Sequence, residues 1–196
     1  MSDAERLGLV TAILDLDPQP SSTLWGDHRA ASSPAVVAAQ AARLPLFIRQ
    51  AREQDADLLI LDTPPQAAGT ATEAAAHADA ILIPTQPKPL ELDALPQTIQ
   101  LARASGKPFF VVLNNAPVQG SETADATAAL TKAGIEIAPV VLHSRKAFYS
   151  HMQEGQTPEE FDPQGKAASE IRALMLWVAE RVGLFTSIQI NKRKSP

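Results

Sequence analysis

Five short apolar runs, separated by alanine-rich stretches, constrain the fold of this chain more than any other feature of its sequence. Each run is continuously apolar rather than alternately apolar and polar, which is typical of strands buried on both faces of a parallel sheet. We therefore predict strands at residues 9–14, 58–61, 80–83, 109–113 and 139–142.

The stretches between these runs predict helices at residues 34–54, 70–78, 90–105 and 121–133, followed by a last helix at 166–182. Pro34 follows two serines, as a first-turn proline follows a helix cap, and Gly106 and Gly134 stand where two helices should end. This alternation implies an α/β fold, a doubly wound and mostly parallel sheet with helices on both faces. We expect one domain over residues 1–185 and a basic tail over residues 186–196.

The composition is that of an ordinary globular protein and excludes several kinds of chemistry. The 196 residues contain no cysteine, which excludes disulfides, thiol catalysis and cysteine-ligated metals. The net charge of −5 means that DNA binding would require a local basic patch. The apolar runs are too short to span a membrane, and no leader sequence opens the chain, so we expect a cytoplasmic protein without a membrane partner.

Polar residues follow four of the predicted strands, where ligands bind in open parallel sheets. The segments are LDLDPQ at 14–19, LILDTPP at 59–65, LIPTQP at 82–87 and VVLNNAP at 111–117. Carboxylates are suitable ligands for Mg²⁺, and a second carboxylate can orient an attacking water. A single aspartate after a strand is equally typical of a helix cap, so the order of the four segments is the more specific signal.

These segments resemble those of a known family. The stretch ILDLDPQPSSTLWGDHR resembles the switch segment of the ParA/MinD-type ATPases, the deviant Walker A class, and in particular that of the small ParA-like partition proteins. LLILDTPP resembles their Walker B strand, and residues 145–148 through EGQTPEEFDPQGKAASEIRAL resemble their carboxy-terminal part. The resemblance covers residues 7–182 and implies a P-loop NTPase-like fold with ATP and Mg²⁺ as cofactors.

The resemblance also implies roles for individual residues. Asp17 matches the aspartate that positions the hydrolytic water near Mg²⁺, and Asp62 matches the Walker B aspartate that contacts Mg²⁺ through water. Asn114, with Asn115 beside it, matches the asparagine near the adenine. Asp15 is expected to be either a structural acid or an acid that supports the ligands of the metal from behind. Four basic residues match a surface that binds DNA without sequence preference, although a solvated charged face is the alternative: Arg145, Lys146, Lys166 and Arg172.

One element of the family is missing from the sequence. Members open with a strand, a K-G-G-x-G-K-[ST] loop and a helix, whereas glycine precedes lysine here only at Gly106-Lys107 and Gly165-Lys166, without the other loop residues. We therefore expect that the first strand-loop-helix unit is absent and that ATP binding is defective. If the lost strand is central, its neighbours should either expose two unpaired edges or close up.

Three interpretations of this absence stay open: a truncated gene product or misplaced start, a pseudo-ATPase, and a loop supplied in trans or a different activity. The function we predict is that of a ParA-like ATPase of plasmid or chromosome partitioning, located in the cytoplasm and on the nucleoid if it binds DNA. Such proteins form ATP-dependent dimers, and a centromere-binding partner stimulates their hydrolysis. The alternative is a non-catalytic module that binds a full-length ParA, or its centromere-binding partner.

Overall fold

The computed structural model describes residues 8–65 and 67–184. Within these residues the chain alternates between five strands and seven helices, with short 3₁₀ turns at Ala41–Arg43, Lys146–Phe148 and Met152–Glu154. The strands are β1 (Thr11–Asp15), β2 (Ala35–Ala38), β3 (Leu58–Asp62), β4 (Ile81–Thr85) and β5 (Phe109–Leu113). The helices are α1 (Ser21–Asp27), α2 (Leu44–Glu53), α3 (Ala68–His77), α4 (Pro89–Ala104), α5 (Glu122–Lys132), α6 (Pro158–Phe161) and α7 (Lys166–Arg181).

The strands form two half-sheets rather than one continuous sheet. The first half-sheet has the order β2-β1-β3, and the second consists of β4 and β5. All pairings between described strands are parallel, and the register places Asp15 at the end of β1 beside Asp62 at the end of β3. No ladder of hydrogen bonds joins β3 to β4 among the described strands. Of the two outcomes expected if a central strand is lost, unpaired edges rather than closed-up neighbours describe β3 and β4.

Helices cover both faces of this arrangement, which confirms the predicted α/β fold class. One core cluster joins β4 and β5 to α4 and α5, and a second packs Leu14 and Leu61 against α2 and α3. On the other face of β5, α7 packs its apolar side against the strand, and Trp177 meets Phe110 edge to face with ring centroids 5.0 Å apart. The predicted last helix is thus confirmed as an element packed on the sheet.

The prediction of one helix over residues 34–54 is wrong. The structure divides this stretch into β2, a 3₁₀ turn and α2, and Pro34 precedes a strand instead of opening a helix. The β-branched pair Val36 and Val37 lies in β2, opposite Ile13 and Leu14 of β1. This parallel pairing is a long-range contact that overrides the helical preference of the surrounding alanines.

The predicted strand at residues 139–142 is also wrong, although the segment does run beside β5. The N–H of Ala138 donates to the carbonyl of Val111 (2.8 Å), and the N–H of Leu142 donates to that of Leu113 (2.9 Å). Four residue steps on one chain therefore match two steps on β5, so the segment bulges away from a regular ladder. Pro139 contributes to this because it has no N–H to donate.

Candidate functional site

The carboxylate of Asp15 is held by the chain itself. It is 1% exposed and accepts hydrogen bonds from the N–H of Thr23 (2.8 Å), from the Thr23 hydroxyl (3.1 Å) and from the N–H of Asp17 (3.1 Å). These bonds dock the first turn of α1 onto the end of β1. They satisfy a buried charge that would otherwise be costly, which supports a structural role for Asp15.

Asp62 and Asp17 each keep one carboxylate oxygen without a hydrogen-bond partner among the described residues. The Ser22 hydroxyl donates to Oδ2 of Asp62 at 2.5 Å, and the N–H of Gln19 donates to Oδ1 of Asp17 at 2.8 Å. The remaining oxygens, Oδ1 of Asp62 and Oδ2 of Asp17, are hard donors of the kind that Mg²⁺ prefers. The donor set therefore fits this ion.

These carboxylates would not enclose a metal ion by themselves. No group of three or more histidine, cysteine, aspartate or glutamate side chains among the described residues could hold a metal. Mg²⁺ commonly keeps several waters and binds through one or two carboxylates together with phosphate oxygens. A magnesium ion beside Asp62 would accordingly take its other ligands from water and from a phosphorylated ligand.

Helix α1 was not predicted from the sequence, and it links the carboxylate edge to the carboxy-terminal part of the chain. The guanidinium of Arg29, just after α1, lies 4.5 Å from the centre of the Trp25 ring and forms a 2.8 Å ion pair with Glu160. It also donates to the carbonyls of Ser33 (2.7 Å) and Gly155 (2.6 Å). Because the Arg29 side chain is only 2% exposed, this residue is a buried anchor rather than a surface charge.

The environment of Glu160 favours its ionised form. Burial acts to raise the pKa of this carboxyl, but hydrogen bonds from the Arg29 guanidinium and from the N–H of Thr157 outweigh it and hold the pKa well below its usual range. The carboxylate and the guanidinium therefore form a charged pair at neutral pH. Sequence reasoning missed this pair because the two residues are 131 positions apart.

The structure places Asn114 and Asn115 immediately after β5, on the same edge as the carboxylates. The side-chain oxygen of Asn114 accepts from the N–H of Asn115 (2.8 Å), and Asn115 has a positive φ of 49°. The Asn115 amide donates to Gln86, just beyond β4, at 3.2 Å. Both asparagines are exposed, so their side chains are accessible to a ligand lying across the ends of β4 and β5.

The four basic residues predicted to contact DNA have different environments. Arg145 donates twice to one oxygen of Glu170 at 3.0 and 2.5 Å, and Arg172 donates to Glu159 at 3.3 Å. Burial acts to raise the pKa of Glu170, but hydrogen bonds from Arg145 and His143 lower it overall. The two arginines thus stabilise the chain internally, whereas Lys146 and Lys166 form no ion pair with another described residue.

Neither glycine–lysine pair of the sequence forms a phosphate-binding loop. Gly106 follows the end of α4 with a φ of +68°, and Gly165 precedes the first residue of α7. Neither stands between a strand and the helix that follows it. Gly134 ends α5 with the same φ of +68°, so both predicted helix stops are confirmed.

Comparisons with known proteins show what this chain resembles in sequence and in fold. No family model matches the chain. The chain is 29% identical over 174 residues to the Maintenance of carboxysome distribution protein A of Gloeobacter kilaueensis, which covers 87% of this chain and 79% of that protein. Within the described residues, no helix is both long and apolar enough to cross a membrane.

Two solved structures share the fold. One is the septum site-determining protein MinD of Pyrococcus horikoshii with Mg-ADP, with a TM-score of 0.67 at 14% identity over 93% of this chain and 88% of that one. The other is a ParA family ATPase of Chlorobium tepidum, with a TM-score of 0.63 at 16% identity over 85% and 86%. The chain is thus similar in sequence to this distribution protein and shares the fold of the MinD and ParA family ATPases.

Proposed function

We propose that this chain is a ParA-like protein that helps to distribute a large cargo in the cell, and that its strand-end carboxylates belong to an ATP–Mg²⁺ site. The convergence of Asp15, Asp17 and Asp62 at the ends of two paired strands carries the proposal. The relative named for carboxysome distribution supports a role in positioning cargo. A plasmid, a chromosome or a protein assembly would each fit this role.

Each residue of the site would have its own role in binding or hydrolysis. Asp62 would hold Mg²⁺ through a water molecule, and the ion would neutralise phosphate charge. Asp17 would orient the attacking water, since its free oxygen lies on the same edge as Asp62. Asn114 and Asn115, at the end of β5, would contact the base. Asp15 would keep α1 in place beneath them.

ATP binding should remain weak in the 196 residues alone. A phosphate-binding loop supplies backbone N–H groups and lysines that neutralise the phosphates, and the sequence contains no such loop. We propose that the site becomes competent only when a loop of this kind completes it. The completed form would dimerise with ATP, bind DNA without sequence preference through Lys146 and Lys166, and respond to a partition partner protein such as a centromere-binding protein.

A second candidate is a non-catalytic module that binds a full-length ParA or its partner protein. The observation that favours it is the arrangement of α1, because Ser22 binds one oxygen of Asp62 and Thr23 binds Asp15 within the chain itself. A module of this kind would keep its binding surface in a fixed shape. Its binding to the partner would not depend on ATP.

Calorimetry of ATP–Mg²⁺ binding tests the first candidate. The chain is compared with a version in which a strand, a K-G-G-x-G-K-[ST] loop and a helix are joined before Met1. We expect binding only in the restored version, weakened by about 10- to 100-fold in Asp62→Ala because water-mediated contacts to metals have effects of this size. Asp93→Ala, on α4, is the matched control and should bind normally.

The opposite outcomes are equally informative. Micromolar binding by the 196 residues alone would show that another phosphate site exists and that our account of the loop is wrong. A restored version that still fails to bind ATP, together with partner binding that ignores ATP, would favour the module. Hydrolysis in the restored version should disappear in Asp17→Ala.

A further inference from the structure

Hydrogen bonds within the chain leave the carboxylate edge with one available oxygen on each of two aspartates. Both oxygens of Asp15 are taken, one by the N–H of Asp17 and the other by the N–H and hydroxyl of Thr23. One oxygen of Asp17 accepts from a backbone N–H at 2.8 Å, and one oxygen of Asp62 accepts from the Ser22 hydroxyl. Within the described chain, a cation at this edge would therefore meet single carboxylate oxygens rather than pairs of them.

The bond from Ser22 to Asp62 connects two separate elements. It runs from the first turn of α1 to the end of β3, across 40 positions of the sequence. A hydroxyl has one hydrogen to donate, and at 2.5 Å from Oδ2 this hydrogen is committed to Asp62. The other oxygen of the carboxylate, Oδ1, is left for a ligand.

Helix α1 is fixed on both sides of this bond. Next to Ser22, the N–H and hydroxyl of Thr23 bind the buried carboxylate of Asp15 at 2.8 and 3.1 Å. One turn further along, Gly26 lies so close to β2 that a Cβ there would stand 2.8 Å from the Cβ of Val36. The serine hydroxyl is thus held at the end of β3 by a helix whose place is set by the chain itself, which is how a positioned ligand is kept in one geometry.

Magnesium and calcium ions require different things of a carboxylate. Mg²⁺ keeps several of its waters in a near-ideal octahedron, so a single oxygen that accepts from a bound water is enough to hold it. Ca²⁺ takes about six to eight oxygen ligands in a flexible geometry and often binds a carboxylate through both of its oxygens. A carboxylate with one oxygen already committed therefore suits Mg²⁺ better than Ca²⁺.

We propose that Ser22 is a positioning residue that sets the cation preference of Asp62, favouring Mg²⁺ over Ca²⁺. Its hydroxyl occupies Oδ2 and leaves Oδ1 alone to meet the ion or a water bound to it. The inference rests on the proposed function, because it takes Asp62 as the residue that holds the ion. It goes further by assigning the choice of ion to a residue of α1 that acts only through Asp62.

Competition between divalent ions, followed by NMR, tests the inference on the 196-residue chain without nucleotide. Mn²⁺ is the probe, because it takes the same oxygen ligands and its unpaired electrons broaden the amide signals of nearby residues. Broadening at Asp62 reports bound Mn²⁺. Titration with MgCl₂ or with CaCl₂ at constant ionic strength then measures how much of each ion displaces it, and the ratio of the two midpoints is the cation preference.

Ser22→Ala frees Oδ2 of Asp62 and should lower the preference for Mg²⁺ over Ca²⁺. We expect a fall of about tenfold, the lower end of the effects seen for partners that orient metal ligands. The bond to Asp17 comes from the backbone and stays in place, so the change can be assigned to Asp62. A merely structural role of Ser22 would loosen α1 and change both affinities by the same factor, which would leave the ratio unmoved.

Two further variants separate the hydroxyl from the helix that carries it. Ser22→Thr keeps a hydroxyl at the same place and should retain the wild-type ratio. Ser21→Ala removes an exposed hydroxyl from the same turn of α1, one without a hydrogen-bond partner among the described residues, and should also retain it.

Three results would overturn the inference. The first is an equal ratio in wild type and Ser22→Ala while Mn²⁺ still binds at Asp62. The second is the same loss of preference in Ser22→Thr as in Ser22→Ala, which would assign the change to a disturbed helix. The third is broadening that is absent at Asp62 in wild type or that persists in Asp62→Asn. Only this third result also contradicts the proposed function, so the two failures are distinguishable.

Discussion

The Ser22 hydroxyl donates a 2.5 Å hydrogen bond to Asp62, a residue 40 positions later in the chain. Together with the bonds from Thr23 to Asp15, it fastens α1 across the ends of β1 and β3. A seven-residue helix is too short to be stable alone, so these contacts determine where it lies.

Replacing Ser22 with alanine should therefore destabilise the first half-sheet. A hydrogen bond to a charged group contributes about 1.5–3 kcal/mol, and the half-buried position places the expected loss near the lower value. Urea unfolding followed by the fluorescence of Trp25, in a Trp177→Phe background, measures it. Ser21→Ala is the control, because the exposed Ser21 side chain forms no hydrogen bond to another described residue, and an equal loss in both variants would contradict the assignment.

Gly155 should tolerate no side chain. Its φ is +67°, and a Cβ at this position would lie 2.5 Å from the backbone nitrogen of Arg29. Gly134 has a φ of +68° but open space around its Cβ position. We expect Gly134→Ala to cost about 1 kcal/mol from backbone strain alone. Gly155→Ala should cost clearly more, as measured by urea unfolding, and similar costs would contradict the close packing on Arg29.

Lowering the pH should reduce the unfolding free energy of the protein, because it protonates Glu160 in its pair with Arg29. The pKa of Glu160 is lower in the folded chain than in the unfolded chain, so its contribution to stability is complete above the unfolded value of about 4.3. This contribution is lost as the pH falls below that value toward the folded pKa. Unfolding free energies at pH 7 and below pH 4 should therefore differ less in Glu160→Gln than in wild type. An unchanged difference would contradict the pair's role.

Substitutions of the lysines and of the arginines on the proposed DNA surface should have different effects. In the restored version with ATP, the Lys146→Ala and Lys166→Ala double variant should weaken DNA binding and reduce its salt dependence by about one unit of slope for each contact. Arg145→Ala should chiefly lower stability, because it leaves Glu170 with fewer partners. Fluorescence anisotropy across a salt series measures the first effect. An unchanged slope in the double variant would exclude the two lysines from the DNA surface.

The sequence predicts the strands and the acidic edge better than it predicts the connections. Strands β1, β3, β4 and β5 follow from continuous apolar runs, and the order of motifs places Asp17 and Asp62 on one edge. Strand β2 escapes prediction because its four residues are mostly exposed and its identity depends on pairing with β1. Helix α1 escapes because it lacks a side-chain cap and lies against carboxylates that only the folded chain brings near.

Polar contacts between residues far apart in the sequence are the other feature of the structure that the sequence alone could not predict. Nothing local to Arg29 indicates that it is buried, since arginine is usually exposed. Its partners, Gly155 and Glu160, belong to a segment that meets α1 only after the sheet has formed. The glycine at 155 is explained by this close approach.

The separation of the two half-sheets also bears on how the molecule unfolds. With no ladder between β3 and β4, cooperativity between the halves depends on the α3 crossover and on contacts such as that between Arg29 and Glu160. Each half carries its own tryptophan: Trp25 lies in α1, and Trp177 lies in α7 against Phe110 of β5. The halves should then behave as separate foldons with distinct transitions.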